Sequence, residues 1–299
     1  HRRAAGGHPH PARASSGRLD MTHVLPVCRT LAVASGKGGV GKTWLSITLA
    51  HALARLQRRV LLFDGDFGLA NVDVQLGLMP GVDLGSVIAG QVTLQEAIVQ
   101  HEGGFDILPG RSGSGSLATL EPAALESILT VLRRACAAYD MVVIDLAAGL
   151  DRGGRRMASF ADTLLVVATD EPTSLTDAYA VLKLYARDTD PARRDARIVV
   201  NQAAGVGAGQ RTFGALAHAS RTFLGTEPPL AGIIRRDPHV PDAIRRQCLF
   251  LARHPAAAAA VDIDALALAL DPRGTATQTS STQTSSPLAN HPDPVTQKP

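Results

Sequence analysis

The residues best suited to chemistry lie in Gly36-Lys37-Gly38-Gly39-Val40-Gly41-Lys42-Thr43. This stretch fits G-x-x-x-x-G-K-[ST], a loop whose backbone N–H groups wrap a polyphosphate, with the lysine (Lys42) reaching the β/γ-phosphates and the Thr43 hydroxyl a Mg²⁺ ligand. Glycine lets the backbone approach phosphate without a Cβ in the way, and a helix starting just behind the loop adds unpaired N–H groups and a positive dipole end. Lys37 is not required by that pattern, and by itself it also reads as a solvated loop charge. Carboxylates recur at the ends of apolar runs. Val60-Leu61-Leu62-Phe63 leads into Asp64-Gly65-Asp66, and Met141-Val142-Val143-Ile144 leads into Asp145. Two acids at a strand end are costly to bury alone; Mg²⁺, water or a nucleotide would partner them, and a hydrated turn is the plainer alternative. An apolar strand ending in an acid, as at Asp145, is the Walker B pattern, in which the carboxylate orders a Mg²⁺ shell through water. Asn201, after Ile198-Val199-Val200, is either a turn residue or an amide able to pair with adenine.

These groups need a scaffold that delivers strand ends to one edge. Residues 30–34 form an apolar run of strand type before the glycine loop, and Trp44, Leu45, Ile47, Leu49, Leu53 and Leu56 follow it at helical spacing. Further strands are expected at 60–63, 105–109, 141–145, 163–168, 198–200 and 229–234. Helices are expected at 121–139 and 256–270, with one or two short ones within 81–104 and a flexible loop at 110–116. Thr173, Ser174 and Thr176 are candidate caps of a helix after 168. The alternation gives an α/β fold, a doubly wound, mainly parallel sheet with helices on both faces and its ligand at the strand C-terminal edge. One domain spans 28–270. Residues 1–27 read as a disordered N-terminal extension in which Met21 is a candidate start, and 271–299 read as a disordered Thr/Ser/Pro-rich tail.

Composition agrees. Apolar residues make up 45% of the 299 and aromatics only 4%, as suits a Leu, Val, Ile and Ala core of covered parallel strands. A formal charge of +3 is mild and does not by itself imply nucleic acid. Cys28, Cys136 and Cys248 lie far apart without metal-ligand spacing, which implies neither a disulfide framework nor zinc and fits a reducing cytoplasm. There is no apolar run of membrane-spanning length and no signal-peptide pattern.

With its extra lysine, Gly36–Thr43 resembles the deviant Walker A loop of the MinD/ParA ATPases, in which the residue matching Lys37 contacts phosphate across a dimer interface. The run from Asp64 to Leu78 resembles the D-x-D-x-G-L-A-N-x-D signature of the MinD branch. That likeness implies that Asp66 holds the attacking water and that Asp64, with Thr43 and Asp145, orders Mg²⁺. Thr169-Asp170-Glu171-Pro172-Thr173-Ser174-Leu175-Thr176-Asp177-Ala178-Tyr179-Ala180 resembles a motif of the flagellar-number ATPases called FlhG or FleN. By the same resemblance Asn201 reads the adenine edge, and Asp237 lies in the adenine-flanking D-x-x-V-x-x-A-x-R pattern. The resemblance implies ATP and Mg²⁺ as cofactors, a weak, partner-stimulated ATP hydrolase and an ATP-dependent homodimer. Its implied partners are a signal-recognition-type flagellar GTPase, a flagellar transcription activator and flagellar switch-ring proteins. The implied location is cytoplasmic, with recruitment to the pole or membrane through partners. Three positions depart from the family pattern: Trp44, Leu146 and Arg235. The first two motivate a degenerate nucleotide sensor as an alternative. Arginines at 152–156 and 235–246 motivate another, a DNA-partitioning ATPase, although a solvated charged face is their default reading. The tail lacks the basic amphipathic helix that many MinD-type proteins carry.

Overall fold

The computed structural model describes residues 28–66, 71–110, 121–149 and 151–271. The expectations for 1–27, for all but Gly110 of the 110–116 loop, for most of the 271–299 tail and for residues 67–70 of the Asp64–Leu78 signature lie outside these.

β1 (Arg29–Ser35) runs into the glycine loop and α1 (Lys42–Arg55), and β2 (Val60–Gly65) returns beside the start of the sheet. Three short helices follow: α2 (Val72–Leu76), α3 (Leu84–Ile88) and α4 (Leu94–Ala97). Asp83 caps α3 by accepting from the Ser86 N–H, and Thr93 with Glu96 forms a reciprocal capping box on α4. Next come β3 (Val99–Gln100), β4 (Asp106–Leu108), α5 (Pro122–Ala135), β5 (Met141–Ala148) and α6 (Arg152–Phe160). The rest of the chain is β6 (Thr163–Ala168), α7 (Pro172–Asp188), β7 (Ala196–Ala203), α8 (Val206–Leu224), β8 (Leu230–Arg235), α9 (His239–Arg245), α10 (Phe250–Arg253) and α11 (Ala258–Leu270).

Among the described residues the strands form one sheet in the order β3-β4-β2-β5-β1-β6-β7-β8, parallel throughout except for the antiparallel edge strand β3. The order places β1 centrally, between β5 and β6. Alternation along each strand then divides the core in two. Leu31 and Val33 of β1 pack with α1, α10 and α11, while Ala32 and Ala34 face the side covered by α5, α6, α7 and α8. The same alternation in β2 and β5 sends Leu61, Phe63, Val142, Ile144 and Leu146 to the second side. Asp64 and Asp145 therefore end up on the α1 side, following Leu62 and Val143.

The mainly parallel doubly wound sheet is as expected, with two local differences. β3 is too short and polar to register as a strand from its pattern. The hydroxyls at the head of α7 do not cap it: Glu171 is the cap position without a side-chain bond, Ser174 accepts from the Thr169 N–H, and Thr176 donates back to the Pro172 carbonyl. Pro172 itself opens the helix, because a first-turn residue needs no N–H.

Candidate functional site

The glycine loop turns at the C-terminal edge of β1 and enters α1 at Gly41, whose φ of 83° is left-handed. A Cβ there would also lie 2.6 Å from Asn201 Nδ2, so a side chain is excluded by conformation and by space. Gly36 is required for a different reason. A Cβ at that position would come within 2.4 Å of the Asp177 backbone, so its absence lets α7 pack against the loop. Lys37 reaches across to this helix, donating to Glu171 Oε2 and, at 3.1 Å, to Thr173 Oγ1.

Behind the loop, Lys42 Nζ lies 3.2 Å from Asp145 Oδ1, and Ser46, one helical turn on, donates to the same oxygen at 2.9 Å. Lys42 and Asp145 are 8% and 1% exposed, so the pair is buried. Strand register sets Asp64 directly beside Asp145. Burial, then the neighbouring Asp145 charge, pushes the Asp64 carboxyl up to about 7. Three backbone N–H groups oppose that rise: Asp66 donates to Asp64 Oδ1 at 3.0 Å, and Asn71 and Val72 donate to Oδ2 at 3.0 and 3.1 Å. Asp64 therefore anchors the segment that carries Asp66. The other oxygen of Asp145, Oδ2, is buried and accepts no protein hydrogen bond. Such an oxygen suits a hydrated cation, with Asp64 beside it on the next strand and Thr43 on the wall of the adjoining phosphate-loop cavity. Among the described residues no three His, Cys, Asp or Glu side chains form a metal cage. Phosphate and water oxygens would have to supply the rest of any coordination sphere, which is the habit of Mg²⁺.

Two cavities adjoin. One of about 250 Å³ is lined by Ser35, Lys37–Trp44, Asp66 and Asn71, among others. The second, about 480 Å³, shares Gly39, Gly41, Trp44 and Ile244 with the first and adds Asn201, Gln202, Asp237, Val240 and Pro241. Its dimensions and largely apolar walls with a few polar groups suit a heterocyclic base and sugar. Asn201 Nδ2 donates to the Val40 carbonyl at 2.8 Å while Oδ1 accepts from the Gln202 N–H. One amide hydrogen and one lone pair remain for a ligand. Asp237 accepts from the backbone and ring nitrogens of His239 at 2.9 and 2.8 Å, bonds that hold it below the usual carboxylate range against burial.

Every candidate residue except Gly36, which packs against α7, thus lines one of these adjoining cavities or belongs to the carboxylate pair behind them. The departures from the family pattern have local explanations. Trp44 is 6% exposed and packs edge-on against Phe250, with ring centroids 5.3 Å apart. Leu146 is wholly buried in the α6 side of the core. Arg235 clasps Asp262 of α11 through Nε and Nη2 at 2.9 and 2.8 Å. Of the basic run at the start of α6, Arg155 pairs with Asp188 and Arg156 with Glu126. Sequence reasoning missed Ser46, Gln202 and the Lys37 contacts. Ser46 was within reach of it, being four residues from Lys42 and so on the same helix face. Gln202 was not, since its role depends on a left-handed φ of 55° that aims Nε2 at the Gly39 carbonyl.

Comparison with known proteins gives consistent results. Residues 31–250 match the family model described as the CobQ/CobB/MinD/ParA nucleotide binding domain. The antiactivator FleN of Pseudomonas aeruginosa is 38% identical over 251 residues, covering 84% of this chain and 89% of that protein. The flagellum site-determining protein YlxH of Helicobacter pylori is 32% identical over 183 residues, 61% of this chain and 62% of that one. Among solved structures, the MinD cell division protein of Aquifex aeolicus superposes with a TM-score of 0.65 at 27% identity, covering 80% of this chain and 95% of that chain.

Proposed function

Since the chain belongs to the CobQ/CobB/MinD/ParA nucleotide-binding family, we propose that it works as a FleN-like switch in which ATP closes two copies and hydrolysis reopens them. The chain is a MinD-like ATPase of the type that regulates flagellar number. The observation that carries the switch reading is the convergence of Lys42, Ser46, Asp145 and Asp64 beneath a loop that also presents Lys37 on its outer side.

In this reading the loop N–H groups and Lys42 hold the β/γ-phosphates, and Thr43, Asp64 and Asp145 hold Mg²⁺ with its water. Mg²⁺ supplies charge neutralisation across the β- and γ-phosphates when bound. Lys42 must then divide its charge between Asp145 and phosphate. Asp66 orients a water toward the γ-phosphorus, and Asn201 and Asp237 seat the adenine in the larger cavity. Lys37 leaves Glu171 and Thr173 to meet the phosphates of the second copy. A signal-recognition-type GTPase, a flagellar transcription activator and switch-ring proteins are the partners that fit a FleN-like switch. Among the described residues no helix is long and apolar enough to cross a membrane.

The test is phosphate release measured beside light-scattering mass, with ATP and with ADP. We expect slow turnover and a doubled mass with ATP only. Turnover without any change of mass would leave an ATPase but remove the switch. Tight ATP binding with no turnover would favour the sensor, and ATP-dependent, salt-sensitive, sequence-blind DNA retention would favour partitioning.

A further inference from the structure

The fold brings together two of the three cysteines that the sequence holds more than a hundred residues apart. Cys28 immediately precedes β1, and Cys136 is the C-cap of α5 just before β5. β1 and β5 are neighbours, Arg29 pairs with Met141, and the Arg29 N–H donates to the Asp140 carbonyl at 3.0 Å. Both cysteines rest against the same core on the α5 side of the sheet, and both are partly exposed. Cys28 Sγ donates to the Arg29 carbonyl at 3.9 Å, and the two thiols are close enough that each alters the other's affinity for a proton. Cys248 lies on the opposite side, packed with the α1 core.

We propose that Cys28 and Cys136 form a reversible dithiol/disulfide modification site, oxidised by a small-molecule disulfide such as oxidised glutathione. The two sulfurs have different roles. The neighbouring Cys28 thiol holds the Cys136 thiol below its ordinary value, while Cys136 and burial push Cys28 up. Cys136 is therefore the attacking thiolate and Cys28 keeps its proton until the second step. In the first step Cys136 Sγ attacks one sulfur of glutathione disulfide, forming a mixed disulfide and expelling one glutathione thiolate. In the second, Cys28 gives its proton to solvent and attacks Cys136 Sγ, expelling the second glutathione. The protein loses two electrons and two protons, and one disulfide becomes two thiols. The resulting bond ties the start of β1, which leads to the glycine loop, to the end of α5, which leads into the strand that carries Asp145. Disulfides of this kind in a reducing compartment are transient and sensing rather than structural.

The test uses the full chain, reduced and then exposed to oxidised glutathione. Free thiols should fall from three to one, with a Cys28–Cys136 cross-linked peptide that dithiothreitol reverses. Closing so long a loop should raise Tm by roughly 5–10 °C relative to the reduced protein. In Cys28→Ser the reaction should stop at one glutathione on Cys136, with no gain of this size in Tm. Three persistent thiols in the wild type, separate glutathione adducts on both cysteines, or a cross-link through Cys248 would overturn the proposal.

Discussion

At Asp145 a lysine and a serine from one turn of helix meet a strand carboxylate that has a second carboxylate for its neighbour. Removing Lys42 leaves that acidic pair without its buried cation. Lys42→Ala should therefore destabilise the nucleotide-free protein by about 3 kcal/mol, as breaking a buried pair does, and it should also abolish ATP binding. Urea unfolding and nucleotide titration measure the two effects separately. Loss of ATP affinity with unchanged stability would mean that Asp145 is stabilised without Lys42. Asp66 differs because its backbone, held by Asp64, is the part that structure demands. Asp66→Ala should keep ATP affinity within a fewfold while phosphate release falls at least about a hundredfold, the usual effect of losing a group that positions a reacting water. A variant with wild-type turnover would shift that role to another residue.

At the scale of elements, α1 forms the floor of the site with one of its buried faces and carries a titratable group in the core. His51 is 7% exposed, lies 6.3 Å from the Phe105 ring centre, and has no hydrogen-bond partner at Nδ1. Burial, then the charges of Arg55 and His101, lower its pKa from 6.5 to about 4. The folded state thus resists a proton that the unfolded chain accepts. Stability from this source is complete above pH 6.5 and is lost as pH falls through 4, about 3 kcal/mol in all. Urea midpoints between pH 7 and 4 should fall less steeply in His51→Leu than in wild type, and parallel slopes would refute the claim. Most elements could be read from the chain, because parallel strands buried on both faces are short apolar runs and their helices carry stripes. The apolar runs at 60–63 and 141–144 were plain for that reason, and so were the carboxylates that follow them, although the strands themselves run on to Gly65 and Ala148. What could not be read is contact between distant segments. The register that sets Asp64 against Asp145, the clasp between Arg235 and Asp262, and the backbone of Gln202 arise only after the sheet assembles.

At the scale of the whole molecule, the proposed switch makes Lys37 the residue on which the pairing of two copies would depend. Within the chain it is satisfied by Glu171 and Thr173, so a second copy must offer more than these to draw it away. In the proposed switch phosphate would do so, since its charge is higher and three oxygens can accept. Lys37→Ala should bind ATP as a monomer, because Lys42 and the loop N–H groups remain, and should neither dimerise nor hydrolyse. Light scattering with ATP and ADP should rank Asp66→Ala with ATP as the most dimeric sample. An ATP-dependent dimer of Lys37→Ala would end the cross-subunit reading. Trp44 gives such experiments an optical handle. It is the sole tryptophan of the chain and borders both cavities. Excitation near the red edge of protein absorption therefore reports from this one indole, and no dye need be attached. A quench on adding nucleotide would time its arrival, and any slower, concentration-dependent phase would time the meeting of two copies.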